Sequence, residues 1–117
     1  MRFAKKKVID AQTMTGTSVI TGAITDVTGM HTVSYQHVWT GTPNGTFTFE
    51  ASNNYDPARP SSATWTLLTV AGITNPSGAA GDTIVTLTDL GVSHVRPKYT
   101  NASSTGVLST WVMAKGI

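Results

Sequence analysis

Apolar and polar side chains alternate along much of the chain, and the longest such pattern covers residues 30–51. In its first half Tyr35 and Trp39 fall on one side of an extended strand, and in its second half Phe47 and Phe49 share a face. The letters TGTPNG between the halves contain a Pro that fixes φ and an Asn-Gly pair that accepts positive φ. The segment therefore predicts a long β-hairpin with one apolar face.

Shorter stretches with the same period surround this segment. Strands are predicted at 17–21, 23–27, 64–70, 82–88, 92–100 and 107–113. Pro97 lies inside the fifth of these and indicates an edge position or a bulge, because Pro donates no hydrogen bond to a ladder. The letters NASSTG before the last strand predict a second hairpin turn.

The spacing of these strands also indicates the architecture. No segment places apolar residues at helical spacing over three turns, so almost no helix is expected. The chain has 117 residues, near the commonest size of one domain, and its charged fraction of 12% is about half the usual level. We therefore predict an all-β fold, a single-domain antiparallel β-sandwich or jelly roll, with a surface rich in Thr and other uncharged polar groups.

Basic residues are concentrated at the start of the chain. Half of the eight are Arg2, Lys5, Lys6 and Lys7. We expect residues 1–10 to form an arm or a first strand, ahead of a sandwich domain over 11–117. Two roles remain open for the basic group: a solvated terminus that keeps the chain soluble, or a contact with an acidic neighbouring subunit or nucleic acid. Single-stranded nucleic acid is disfavoured, because the basic residues lie apart from the aromatic ones.

Residues with catalytic or metal-binding chemistry are few and scattered. The chain contains no cysteine, which excludes disulfides and thiolate metal sites. His31 and His37 would share a strand face but lie about 20 Å apart along it, and we expect a structural role for both. The carboxylates other than Glu50 lie in or beside predicted turns, where Asp bonds the local backbone. We predict no enzyme activity, no catalytic residues, no cofactor and no metal site.

The longest irregular stretch, residues 52–62, is a candidate binding loop. Its polar part is Asn53, Asn54, Tyr55 and Asp56. An exposed Tyr on a polar loop suits contact with a sugar or a protein. The largest other rings occupy alternating strand positions and are expected in the core: Trp39, Phe47, Phe49, Trp65 and Trp111. The candidate partner-binding residues are therefore this loop and the basic group at the start of the chain.

Three stretches, in this order, carry a family resemblance: HTVSYQHVWTGTPNGTFTFEASNN, TWTLL and HVRPKYTNASSTGVLSTWVMAKG. Together they resemble small β-sandwich virion proteins of tailed bacteriophages, which decorate or cement capsids or belong to the head-tail assembly. The resemblance implies a mainly fold-defining role for the matching residues, which are Trp39, Gly41, Pro43, Gly45, Ser52, Asn53, Trp65, Arg96 and Tyr99.

The resemblance also implies a function. We expect a non-enzymatic structural protein located in the virion, most simply a capsid decoration or cement protein that binds and stabilises the phage head. Its implied partners are the major capsid protein or other virion proteins and further copies of itself, with a trimer favoured. Two alternatives remain open: a glycan- or receptor-binding module of a tail fibre, and a head-tail connector or tail component. No membrane association is expected.

Overall fold

A computed structural model describes residues 3–88 and 91–116, and β-strands dominate it. The strands are β1 (Phe3–Met14), β2 (Val19–Thr21), β3 (Thr25–Asp26), β4 (Met30–Gly41), β5 (Asn44–Ser52), β6 (Thr66–Leu68), β7 (Gly81–Thr88), β8 (His94–Ser103) and β9 (Gly106–Gly116). Within those two ranges the helical structure amounts to one 3-10 turn at Pro60–Ser62. The prediction of an all-β chain is confirmed.

The strands form two antiparallel sheets around a shared core. Sheet I has the order β1-β9-β4-β7, and sheet II has the order β2-β8-β5-β6, with β3 also paired to β8. Four successive segments of the chain each give one strand to each sheet: β1 with β2, β4 with β5, β6 with β7, and β8 with β9. Because the segments lie in the same order in both sheets, the sandwich is a jelly roll, in agreement with the prediction.

Two crossings between the sheets lie side by side at one corner of the molecule. Gly41, at the end of β4, is opposite Gly106, at the start of β9. Just beyond this pair the Thr42 N–H donates to Thr105 O at 3.0 Å, and the ladder resumes between β5 and β8. Gly41 has a φ of +81°, and a Cβ on Gly106 would overlap a carbonyl oxygen of the neighbouring crossing. Glycine therefore allows the two backbones to turn the corner in contact.

Both predicted hairpins are wrong. Residues 30–51 do not fold back on themselves, since β4 pairs with β7 and β9 in sheet I while β5 pairs with β6 and β8 in sheet II. The turn before the last strand likewise joins β8 to β9 across the sheets. Both turns bend tightly, as their residues predict, but each strand finds its partners on other segments of the chain.

β8 is an inner strand of sheet II, so the edge position predicted from Pro97 is wrong. The missing N–H of Pro97 falls where β2 ends. Gly22 N–H donates to Pro97 O at 2.8 Å, but Pro97 cannot return a hydrogen bond. Gly22 also leaves room for the proline ring, because a Cβ there would lie 2.6 Å from Pro97 Cγ. The other side of β8 keeps its ladder with β5.

The core is built from alternating positions, as β4 and β5 predict. The four aromatic rings expected on their inward faces are at most 4% exposed. His31, which the period of two places on the same face, is exposed instead. The cause is a shift in the pairing of β4 with β9 between Met30 and Thr32, which interrupts the alternation.

The start of the chain belongs to sheet I. Residues 3–10 lie in β1, which pairs with β9 and continues to Met14. Residues 3–10 therefore form part of a first strand and not a free arm. Pairing with β9 supplies the backbone hydrogen bonds that a free arm would leave to water.

Candidate interaction surfaces

Side chains with catalytic potential are dispersed over the described ranges. No group of three or more His, Asp or Glu residues there is placed to hold a metal ion. Among those residues we also find no helix that is long and apolar enough to cross a membrane. The outward faces of the two sheets carry the predicted binding residues that the structure describes.

The outward face of sheet II carries a group of aromatic and charged side chains, which we name the Trp65 cluster: Glu50, Tyr55, Trp65, His94 and Arg96. The Arg96 guanidinium lies 4.2 Å from the centre of the Trp65 ring. Its Nε and Nη2 donate to Glu50 Oε1 at 2.9 and 2.8 Å. The Tyr55 ring lies 4.9 Å from His94, edge to face, and 5.8 Å from Trp65. The half-buried rings of Tyr55 and Trp65 therefore sit beside a charge pair that is already matched.

The core position predicted for Trp65 is wrong. Leu68 packs against the core, whereas Leu67 is 64% exposed and stands opposite Glu50 on the outward face. Trp65 lies two residues before Leu67 and remains half-buried at the surface. Both faces of this short strand carry apolar residues, so alternation alone does not identify the inward one.

The predicted binding loop is held together by its own polar groups. Asn53 Oδ1 accepts the Ser93 N–H at 2.7 Å. Asn54 Oδ1 accepts the Thr64 N–H at 2.9 Å, and Asp56 Oδ1 accepts a backbone N–H two residues further on. These oxygens therefore stabilise the loop. The Tyr55 ring is half-buried, and Asn53 and Asn54 line a shallow groove of about 330 Å³.

The basic group lies on the other sheet. Arg2 is outside the described residues. Lys5 and Lys7 stand on β1 beside outward-facing residues of β9. Lys6 turns toward β3, and its Nζ donates to Ile24 O at 3.4 Å. The structure therefore does not unite the two predicted sets of binding residues in one site, because the basic group lies on sheet I and the loop follows a strand of sheet II.

The outward face of sheet I combines exposed apolar side chains with lysine. Trp111 is half-buried, while Met113 and Ile84 are 38% and 61% exposed. These three residues line a groove of about 310 Å³. The Lys7 Nζ lies 5.0 Å from the centre of the Trp111 ring and 2.8 Å from Asp10 Oδ1. This face therefore combines apolar side chains with positive charge.

The core position predicted for Trp111 is wrong, and this surface is therefore not among the predicted binding residues. The alternation in β9 is as predicted, but Leu108, Thr110 and Val112 form its inward face. Both faces of the strand carry large apolar residues. The sequence nevertheless indicates which face is inward. Ala114 lies on the same face as Leu108 and Val112, whereas the charged Lys115 lies on the same face as Trp111.

Two polar side chains of β4 are closed off from solvent. His37 stacks on Phe47 with ring centres 3.9 Å apart, and its Nδ1 lies 2.7 Å from Thr110 Oγ1. Burial lowers the pKa of His37 to about 4. Burial also raises the pKa of Tyr35 to about 12, an effect that the nearby Thr25 hydroxyl partly offsets. Both side chains are fully buried, so their titration bears on the stability of the fold.

Comparisons with known proteins give likeness at the level of structure. No protein-family model and no curated protein matches the sequence. A chain in the structure of infectious bursal disease virus, Gx strain, superimposes with a TM-score of 0.56 at 11% identity, over 97% of this chain and 31% of that one. The VP2 subviral particle of infectious bursal disease virus gives a TM-score of 0.58 at 10% identity, over 98% and 33%.

A third similar structure is close in length to this chain. The SPBc2 prophage-derived protein YomS has a TM-score of 0.55 at 14% identity, over 97% of this chain and 92% of its own. By contrast, the chain spans about a third of the length of the two bursal disease virus chains. At these identities the likeness shows a common jelly-roll fold.

Proposed function

We propose that this chain is a non-enzymatic structural component of a virus particle. The observation that carries the proposal is the fold along nearly the whole chain, which resembles both the VP2 subviral particle and a prophage-derived protein. Fold alone does not imply function, so the argument also needs surfaces that suit assembly. The outward face of sheet I and the Trp65 cluster are two such surfaces.

In its finer form the proposal is a capsid decoration or cement protein of a tailed bacteriophage, located in the virion and acting as a homo-oligomer. The sequence resemblance supports this choice, and its central letters WTGTPNGT form the corner between β4 and β5. Lys5 and Lys7 beside Trp111 suit an acidic neighbour such as a major capsid protein. A particle protein binds in many copies, so avidity can compensate for a weak contact in each copy.

The test is the composition of purified particles from cells that carry the coding sequence. Gradient-purified particles are analysed by mass spectrometry, and gold-labelled antibodies against the purified chain locate it on the particle. Decoration predicts many copies per particle with label over the head. Label confined to the tail or neck would replace decoration by a tail or connector role. Absence of the chain from intact particles would overturn the structural role.

A glycan- or receptor-binding role is the second candidate, favoured by the half-buried Tyr55 and Trp65 rings. Tyr and Trp each combine a large apolar ring with a polar group, which suits contact with a sugar that has apolar and polar faces. Oligosaccharides titrated into the purified chain should shift its NMR signals near these rings, and Tyr55→Ala should abolish the shift. Trp111→Ala, on the other sheet, is the matched control. Equal loss in both variants, or no shift in the parent chain, would contradict this role.

A further inference from the structure

The edges of the two sheets differ in how they are protected. An edge strand exposes unpaired N–H and C=O groups that can pair with another chain, and proteins blunt such edges with lysines, bulges, short strands or covering loops. The β1 edge of sheet I is protected in two of these ways. It carries Lys5, Lys6 and Lys7, and its pairing with β9 is irregular at two places.

Both edges of sheet II are also blunted. β2 and β6 have three residues each, too short to offer a long ladder. Residues 44–48 of β5 are not paired with β6, and the loop between β6 and β7 covers them. In this loop Asn75 Oδ1 accepts the Phe47 N–H at 2.9 Å. Gly45 N–H donates to Pro76 O at 3.3 Å in the same loop.

The β7 edge has no lysine and no bulge, and it is longer than β2 or β6. The preceding loop contacts it through one side chain, since the Thr74 N–H donates to Thr83 Oγ1 at 3.4 Å. The eight residues of β7, GDTIVTLT, pair with β4 without a register shift and contain no Lys, Arg or Pro. Asp82, near its start, is its one charged residue. Within residues 3–88 and 91–116, no backbone hydrogen bond joins β7 to anything except β4. Ile84, near its middle, is 61% exposed on the outward face.

We propose that β7 pairs with β7 of a second copy of this chain, antiparallel about a two-fold axis. The two copies of sheet I would then form one continuous eight-stranded sheet. A second copy fits this edge because an antiparallel pair of identical strands is self-complementary, so one patch serves both subunits. Pairing also removes the exposed edge from both copies at once.

The exposed Ile84 selects the register. With Ile84 opposite Ile84 of the partner subunit, two apolar side chains cover each other, and such directly opposed pairs stabilise a sheet. Asp82 then stands opposite Thr86 of the partner subunit. A register shifted by four residues, with the two-fold axis at Asp82, would instead place the two Asp82 carboxylates face to face, which is destabilising.

The contact is small. Pairing over this length supplies about eight backbone hydrogen bonds from one strand per copy, and we expect it to bury less than the roughly 1,200–2,000 Å² of a stable interface. We therefore expect a weak, concentration-dependent dimer that strengthens where copies are held side by side. The inference does not depend on the proposed function, since it rests on the edges of the sheets alone.

Cysteine cross-linking tests both the pairing and its register, because the chain has no cysteine of its own. Ile84→Cys places two thiols directly opposite each other, within the Cα separation of about 4.4–6.8 Å that a disulfide needs. Thr86→Cys is the matched control on the same face, and its two thiols would lie about 13 Å apart along the strands. We expect mild oxidation to convert Ile84→Cys to a covalent dimer and to leave Thr86→Cys monomeric. Equal cross-linking of both variants, or of neither, would overturn the register and the pairing.

Sedimentation of the cysteine-free protein provides the second measurement. The parent chain should show a concentration-dependent dimer, and Ile84→Lys should shift it to monomer by placing two charges in contact. Leu67→Lys makes the same change at an equally exposed site on sheet II and should keep the dimer. A parent chain that stays monomeric at millimolar concentration, or an oligomer unaffected by Ile84→Lys, would refute the proposal.

Discussion

His37 is expected to make the fold sensitive to mild acid. Its side chain is fully buried, stacked on Phe47, with Nδ1 beside Thr110 Oγ1. Its Nε2 has no hydrogen-bond partner within the described residues. A proton added to this nitrogen would place a charge between the two sheets without compensation. The folded state therefore resists protonation, and the pKa of His37 falls from 6.5 to about 4.

The sign and size of the effect follow from this shift. The unfolded chain takes up the proton near pH 6.5, whereas the folded chain does so only near pH 4. Stability is therefore complete above pH 6.5 and is lost as the pH falls toward 4. At about 1.4 kcal/mol per unit of pKa difference, the free energy of unfolding falls by about 3 kcal/mol in full. Between pH 7 and pH 5 it falls by about 2 kcal/mol.

The assay is urea unfolding followed by tryptophan fluorescence at pH 7 and pH 5, a window above most carboxylate titrations. His37→Phe keeps a ring against Phe47 but removes the titrating group. We expect it to reduce the pH dependence of the free energy of unfolding by about 2 kcal/mol. His94→Gln, which removes a histidine from the outward face of sheet II instead of the core, is the control. If His37→Phe keeps the full difference between the two pH values, the reasoning is refuted.

Two further predictions concern buried hydroxyls and the corner. Tyr35→Phe removes a hydroxyl that is buried without a well-formed hydrogen bond among the described residues, so urea unfolding should show a change below about 1 kcal/mol. Tyr99→Phe removes a hydroxyl that donates to Asn101 Oδ1 at 2.7 Å and should lower the free energy of unfolding by about 1–3 kcal/mol. Equal effects of the two substitutions would contradict this contrast. Gly106→Ala should cost about 1–3 kcal/mol because its Cβ would overlap a carbonyl oxygen, whereas Gly91→Ala, in open space, should change the melting temperature little.

The candidate surfaces were only partly accessible from the sequence. Lys5 and Lys7 were identified from composition, and Tyr55 from its polar loop, and all three lie at or near the surface. The ring of Trp65 and that of Trp111 were assigned to the core because large rings usually lie there. Burial is a property of the assembled sheets, and period-two alternation states only which residues share a face.

Strand positions and the all-β class follow from local pattern. Alternation at β4, β5 and β7 reflects backbone geometry, in which successive side chains point to opposite faces, so it can be recognised without knowing any neighbour. The scarcity of helix can also be recognised locally, because no segment places apolar residues at helical spacing. The inward rings of β4 and β5 were predicted correctly for this reason.

Strand partners, by contrast, required the assembled molecule. The turn residues at Gly41 and Gly106 permit a hairpin within one sheet and a corner between two sheets equally well, because both need a tight bend. What distinguishes them is whether β4 and β5 bury more apolar surface by pairing with each other or by pairing with other strands, most of which lie more than 30 residues away in the sequence. That comparison involves the whole core at once, so the pairing of the sheets, the place of Pro97 and the exposed edge of β7 emerge only when all the strands are in position.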